Sequence, residues 1–440
     1  MRSERRSATG FAVGFAAILL LWPAFWNGYP LVFSDTGTYL SQAIEHYVGW
    51  DRPIFYSLFL FPLHMTLTTW PAIVAQALLI TYLLHLVRRS LLPGTSVWWL
   101  LPIAAGLAVA SPLPWFGSQL MPDVFTGTVV LTLALLIFAG DHLSTGERAW
   151  LVALAAFAIA VHQSHVPLAI VLLLVLSQLR RSRMSMAWSI TPLVVAVIAL
   201  ASVNLLAFGR ASLSPFANVF LLTRIIYDGP GMDALRRNCP AAGWRLCPFV
   251  DSLPAAADDF LWRADGPLAR AGGAKLVSQD ADAIITAALV GEPGTELLAF
   301  VRNSAQQLAH FATGDGLQPW PETVAPRIAR HFPSAETAAF TDSRQSTGVL
   351  TVPPWLKTLH AAAGLAGIAG CCAILLVAPR RNFASACAAT VLVALVANAA
   401  ITGGLSGPHD RYQGRIMWLP PLVAVLGATS LRRAAAPAFR

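Results

Sequence analysis

The sequence predicts an all-α, polytopic membrane protein, and three observations lead there. Of 440 residues, 56% are hydrophobic and 12% charged, whereas soluble domains carry roughly 25% charged residues. Apolar runs of about 20 residues, the length an α-helix needs to cross a bilayer core, recur along the chain. Arginines gather in every second connection between these runs, and so on one side, as they do in multi-pass proteins.

About ten spans follow, near 11–29, 70–87, 97–116, 122–140, 149–161, 166–179, 188–208, 357–378, 383–403 and 416–431. The first follows Arg2, Arg5 and Arg6 and ends in Trp22, Pro23, Phe25 and Trp26. That end lacks the small residues of a cleavage site, so it reads as a retained anchor. The stretch Pro53 to Met65 is apolar but too short to span, and is expected along the membrane surface. The fifth and sixth spans share a turn at His162-Gln163-Ser164-His165. Tryptophans such as Trp22, Trp26, Trp98, Trp99, Trp115 and Trp418 read as interface anchors.

The chain thus divides into an N-terminal transmembrane region, 1–208, with a first outer loop 28–69 bearing surface helices; an extracytoplasmic domain, 209–356, between the seventh and eighth spans; and a C-terminal transmembrane region, 357–440. Arg2, Arg5, Arg6, Arg88, Arg89, Arg148, Arg180, Arg181, Arg183, Arg380, Arg381, Arg432, Arg433 and Arg440 all fall on one side of this topology. The positive-inside rule makes that side the cytoplasm and puts both termini there. The net charge of +8 is then mostly topological, and no basic domain suggests nucleic acid. In "NCPAAGWRLCPF", Cys239 and Cys247 lie outside, where an oxidising compartment favours a short-loop disulfide. Cys371, Cys372 and Cys387 lie in spans and read as packing residues.

The cytoplasmic loops are too short for a nucleotide-binding domain and hold no phosphate-cradling glycine loop. The span interiors hold Gln76, Asn204 and Asn398 but almost no ionisable group, which argues against ion-coupled transport. The outer side is different. Asp35 follows the first span, with Tyr39, Glu45, His46, Asp51 and Arg52 behind it. Asp123 opens the fourth span. His162 and His165 lie at the outer turn, Arg224 in "LLTRIIYDGPG", and His409, Asp410, Arg411, Tyr412 and Arg415 in "GPHDRYQGR". Acids, imidazoles and guanidinium groups therefore meet at one membrane surface. Such a set suits transfer of a sugar from an isoprenoid phosphate to an acceptor hydroxyl. A carboxylate takes the acceptor's proton, and arginine stabilises the departing phosphate.

The layout resembles the C-type (GT-C) membrane glycosyltransferases, which include protein O-mannosyltransferases and aminoarabinose transferases. The segments "FSDTGTYLSQAIEHY" and "RPIFYSLFLFPLH" match that family's first outer loop, with its acid and surface helices, and "DRYQGR" matches its late outer Arg-Tyr pair. The chain departs from the family's paired acids, because Asp35 is followed by Thr36. The resemblance implies a polyprenyl-phosphate-sugar donor, an acceptor that is a lipid, glycan or protein, and the outer face of a bacterial inner membrane. It implies Asp35 and Asp123 as catalytic carboxylates. Arg411, Tyr412 and Arg415 would be substrate contacts, with His162, His165, Arg224 and Arg52 behind them. No nucleotide is expected, and a divalent metal has no ligand spacing behind it.

Plain structural readings stand beside these. Asp35 is also a natural cap for the helix that follows, and Asp123 suits a helix N-terminus. The histidines could simply pack at an interface, and the late arginines could anchor lipid head groups. Two other functions stay open: a lipid-linked glycan polymerase or ligase relying on outer arginines, and a non-enzymatic membrane scaffold.

Overall fold

A computed structural model describes residues 2–179, 183–379 and 382–435. Of the predicted inner-face arginines, Arg180, Arg181, Arg380, Arg381 and Arg440 lie outside the described residues, as do the side chains of Arg2, Arg5, Arg6 and Arg183. Helices make up 74% of the described residues, and no strand occurs among them.

The N-terminal half runs α1 (Arg2–Leu20), α2 (Trp22–Asn27), α3 (Thr36–Ile44), α4 (Phe55–His64), α5 (Trp70–Leu91), α6 (Leu100–Ala110), α7 (Leu113–Gly117), α8 (Phe125–Phe138), α9 (Thr145–Ala160), α10 (His165–Leu176) and α11 (Arg183–Phe208). Then come α12 (Ala217–Asp228), α13 (Pro230–Asn238), α14 (Ala257–Trp262), α15 (Pro267–Arg270), α16 (Gly273–Gly291) and α17 (Pro293–Ala309). The chain closes with α18 (Ala325–His331), α19 (Ser334–Thr341), α20 (Pro354–Val377), α21 (Phe383–Leu405), α22 (Asp410–Gly414) and α23 (Leu419–Ala435).

Among the described residues, five helical segments are long and apolar enough to cross a membrane: Trp70–Leu91, Met186–Phe208, Pro354–Val377, Phe383–Leu405 and Asp410–Ala435. A sixth follows if α16 and α17, bent by 100°, count as one. The other expected spans are helical but shorter, as in Ser7–Leu20, Val97–Ala110, Pro122–Phe138 and His165–Leu179. Local chemistry shortens them. Ser111, preceding Pro112, takes the extended backbone that a pre-proline residue prefers (φ −150°, ψ 160°) and ends α6. At α9, by contrast, the sequence writes a clean start: Ser144 and Glu147 form a capping box.

The chain divides into two compact units. One holds residues 1–200, 310–397 and 410–440; the other holds 201–309 and 398–409. Residues 209–356, expected as one outer domain, are divided between them at 309/310.

In the first unit, residues 310–356 fasten the first loop. Glu336 Oε1 accepts from the Tyr29 hydroxyl at 2.7 Å and from the Thr69 amide and hydroxyl at 2.8 and 2.9 Å. Gln345 accepts from the Val32 amide and donates to the Val32 carbonyl. Glu45, at the end of α3, accepts from His331 at 2.9 Å. The fit leaves no slack at Gly37, where an added Cβ would lie 2.1 Å from the Thr323 carbonyl oxygen. Only glycine permits that approach. Isolated parallel bridging of Leu31 to Gln119 ties the loop to the segment before α8.

Close packing of α20 on α23 uses Gly364, Gly367 and Gly370, one residue per helical turn. A Cβ at Gly367 would lie 2.3 Å from the Pro421 nitrogen. Small residues let membrane helices approach this closely. Cys371 is buried in α20 while Cys372 is exposed. The tryptophans need correcting. Trp98 and Trp99 are exposed, but Trp115 and Trp418 are core residues, and Trp22, Trp26 and Trp115 pack edge to face around Leu31 and Leu356. Leu31 and Leu317, Leu350, Val352 and Leu356 cover Trp115, and Trp418 packs on Gly127 of α8. The expected surface helix is α4, with Tyr56, Ser57, Leu60 and His64 inward and Leu58 and Phe61 outward.

In the second unit, α12, α13 and α16 pack together, and Cys239 and Cys247 are disulfide-bonded.

Candidate active site

The first-unit acids and arginines of the outer inventory converge where α3, α8, α9, α10 and α22 begin or end. Asp35 immediately precedes α3, yet its side chain makes no capping hydrogen bond. The cap role goes elsewhere: the Thr36 hydroxyl accepts from the Phe33 amide at 2.9 Å and donates to the Leu120 carbonyl at 3.1 Å. Asp35 Oδ2 instead takes two donors from Arg52, Nε and Nη2, both at 2.8 Å. Its Oδ1 receives the Ser34 hydroxyl at 3.3 Å. Asp51 lies beside the pair, 3.9 Å from Arg52 Nη1, and burial pushes its carboxyl pKa up.

Asp123 is fully buried. Its Oδ1 accepts from Arg415 Nη1 at 3.3 Å and lies 3.8 Å from Arg411 Nε. Its Oδ2 has no hydrogen-bond partner. The helix-start reading of Asp123 is therefore secondary to its role as counter-ion of two buried guanidinium groups. Arg411 is fixed by its backbone and its face: the amide donates to Asp315 at 3.0 Å, and the guanidinium lies 3.7 Å from the Phe33 ring centre. Arg411 Nη1 is buried without a hydrogen-bond partner. Tyr412 lies 5.4 Å and 5.6 Å from the Arg411 and Arg415 guanidinium carbons.

The two histidines separate in role. His165 Nδ1 lies 2.6 Å from the Ala158 carbonyl, which can only accept, so Nδ1 carries the proton. In the neutral ring Nε2 then accepts from the Thr126 hydroxyl at 2.7 Å. His165 is a satisfied core histidine. His162 stacks on it at 5.0 Å, and its Nδ1 accepts from the Ser164 amide at 3.2 Å. Ser164 Oγ contacts the same nitrogen at 2.9 Å and accepts from Arg415 Nη2 at 3.0 Å. Burial, reinforced by the Arg415 guanidinium, holds the His162 pKa well below its usual range. Nδ1, accepting from the Ser164 amide, is the unprotonated nitrogen, which leaves Nε2 as the ring's N–H donor.

Gln163 donates to the Asp51 carbonyl at 3.2 Å, which joins the histidine turn to the first loop. The arginine-bearing loops lie at the opposite helix ends. Arg89, at the end of α5, bridges to Glu147 at the start of α9 at 2.6 Å, and α9 then runs to the histidine turn. Asp123 opens α8, whose far end meets the Gly140 carbonyl that Arg148 contacts.

Of the predicted site residues, Asp35, Arg52, Asp123, His162, His165, Arg411, Tyr412 and Arg415 belong to the first unit. Arg224 belongs to the second, where it is paired with Asp228 one turn along α12. The reading of the sequence passed over Ser164, Phe33 and Asp315. Ser164 was findable, since it stands between the two histidines. Phe33 and Asp315 carry no pattern that announces them. Tyr39 gained weight: it is buried against Tyr56 with its hydroxyl unpartnered. Among the described residues, no group of three or more His, Cys, Asp or Glu converges as metal ligands do. No family model matches the chain, and neither a curated protein nor a solved structure matches it.

Proposed function

We propose that the protein is an integral membrane glycosyltransferase that moves a sugar from a polyprenyl-phosphate donor to an acceptor hydroxyl at the outer face of the membrane. One observation carries this reading. Asp35 does not cap α3; Arg52 orients it through Oδ2, with Oδ1 turned to the Ser34 hydroxyl at 3.3 Å, beside two arginines whose counter-ion Asp123 is buried. In the reaction the acceptor hydroxyl gives its proton to Asp35 as its oxygen bonds to the anomeric carbon. The bond from that carbon to the phosphate oxygen breaks, and its electron pair leaves with the lipid phosphate. Arg411, with its unused Nη1, and Arg415 receive that charge. Asp123 balances the two arginines before the donor arrives, and His162 offers a neutral donor nearby.

The resemblance to GT-C enzymes supports the same reading. So does the placement of arginine-bearing loops at the helix ends opposite the site, which is what the positive-inside rule expects of an outward-facing site with both termini within. The finer topology of about ten spans, the outer placement of residues 209–356 and a bacterial inner membrane belong to this proposal. The deciding experiment is lipid and glycan mass spectrometry on a deletion strain. Accumulated polyprenyl-phosphate sugar, cleared by restoring the chain, is the expected result; an unchanged lipid profile sinks the proposal. A polymerase or ligase would consume a lipid-linked oligosaccharide instead, and loss of site charges without phenotype would favour the scaffold.

Tyr39 supplies a sharper check. Tyr39→Phe removes a buried hydroxyl that has no partner, so the unliganded protein should melt no lower than wild type. If that hydroxyl meets the donor, losing a hydrogen bond to a charged group costs roughly 1.5–3 kcal/mol, or about tenfold or more in kcat/KM. Unchanged kinetics in a well-folded Tyr39→Phe protein would remove Tyr39 from the site.

A further inference from the structure

The second unit carries an apolar surface that its own core does not use. In α17, Ala299, Asn303 and Gln307 are buried, and they face the last turns of α21. An added Cβ at Gly403 would lie 2.5 Å from Gln307 Cβ, and one at Gly404 would lie 2.3 Å from the Phe300 ring. The helix is thus seated on the end of α21 at backbone distance. On its other side, Leu297, Val301, Ala305 and Leu308 fall on one stripe at helical spacing, with Leu298 beside it. All are exposed, Leu298 at 68%. Val290, one turn before the bend between α16 and α17, is 77% exposed.

The rest of α16 has a different character. Asp280 bridges to Arg245 at 2.9 Å and Asp282 accepts from Asn218 at 3.0 Å. Lys275 is exposed. These are groups for water, so α16 does not continue α17 as a single span in spite of the apolar count. The apolar surface begins at the bend.

We propose that α17 lies in the plane of the membrane interface, and that lipid acyl chains cover Val290, Leu297, Leu298, Val301 and Leu308. What identifies the occupant is α21, a helix of 23 residues apolar enough to span, whose final turns are α17's packing partner. A helix seated on the end of a span stands at the depth where hydrocarbon gives way to head groups. There an amphipathic helix buries its apolar face about 5–10 Å deep. Exposed Leu405, at the end of α21, and Leu205 and Leu206, at the end of α11, show that both span ends in this unit carry apolar side chains outward. Arg302, half-exposed beside the stripe, suits a lipid phosphate at that level. The bend then serves as the point where the water-facing bundle of α12, α13 and α16 is moored to the bilayer.

The test is nitroxide accessibility in the full-length protein reconstituted into liposomes. Cys372, the exposed free thiol, is first replaced by Ala, and Val301→Cys and Lys275→Cys are then labelled separately. The expected result is that the Val301 label is relaxed by dissolved oxygen and protected from a water-soluble nickel chelate, while the Lys275 label behaves the opposite way. Leu298→Cys gives the same reading should Val301→Cys fold poorly. A stripe label relaxed by nickel, or shielded from both reagents as a protein partner or second copy would shield it, overturns the proposal.

Discussion

Asp123→Ala is expected to cost about 3–5 kcal/mol of folding stability, the loss seen when one member of a buried ion pair is removed. The reason is geometric. Arg415 is fully buried and Arg411 nearly so, and Asp123 is the carboxylate both face, at 3.3 and 3.8 Å. Without it two guanidinium groups stay in a dry site with their charge uncompensated. Thermal unfolding in detergent, read by loss of monodisperse protein, measures the effect. A companion variant separates stability from chemistry. Replacing all three together, Asp123→Leu with Arg411→Met and Arg415→Met, removes the buried charges and should recover much of the stability while transfer stays lost. A wild-type melting curve for Asp123→Ala would show that the pair is not the structural centre described here.

Asp35→Asn should leave membrane abundance and melting nearly unchanged and reduce turnover by about a hundredfold or more, since removing a general base typically costs 10²–10⁴-fold. The substitution is mild for the fold because no α3 amide depends on the carboxylate, and the asparagine carbonyl can still accept from Arg52. It is severe for the chemistry because an amide oxygen takes no proton at neutral pH. Single-turnover transfer with a polyprenyl-phosphate-sugar donor is the measurement. Near-wild-type transfer would pass the base role to another group. Asp123 is then the poorer choice, being closed off from solvent and engaged by Arg415.

Much of this candidate site is legible in the sequence. Asp35, Arg52, Asp123, the histidines and the "DRYQGR" segment stand out because ionisable groups are rare in so apolar a chain, and topology places them at one set of helix ends. Their individual roles were not legible. Whether Asp35 caps α3 depends on a backbone in which the Thr36 hydroxyl serves that turn, and a sequence pattern of Ser, Asp and Thr fits either arrangement. The two histidines look equivalent at a spacing of three, yet only one meets a carbonyl that fixes its tautomer. Spans were legible as apolar runs but not in length, because Ser111-Pro112 and the break at Leu21 interrupt helices without interrupting hydrophobicity. Residues 310–356 read as a polar continuation of an outer domain. Their attachment to the first unit rests on single side chains, Glu336 and Gln345, that no periodicity marks.

Those single attachments have a consequence for how the protein comes into being. Tyr29 must wait for Glu336, 307 residues later, and Asp123 must wait for Arg415, 292 residues later. Synthesis proceeds from the N-terminus, so the first loop and α8 emerge from the ribosome long before the groups that complete them. Throughout that interval Asp123 has neither arginine, and the Tyr29 and Thr69 donors have no carboxylate. The early helices must therefore be held by their own packing, α1 on α5 and α6 and α8 on α9, while the reaction centre stays unassembled. A chain stopped short of residue 336 would present a bundle without a finished outer surface. One stopped before residue 411 would have the surface but lack both buried arginines. The candidate site is thus completed only once α22 and Arg415, just ahead of the final helix α23, have been made.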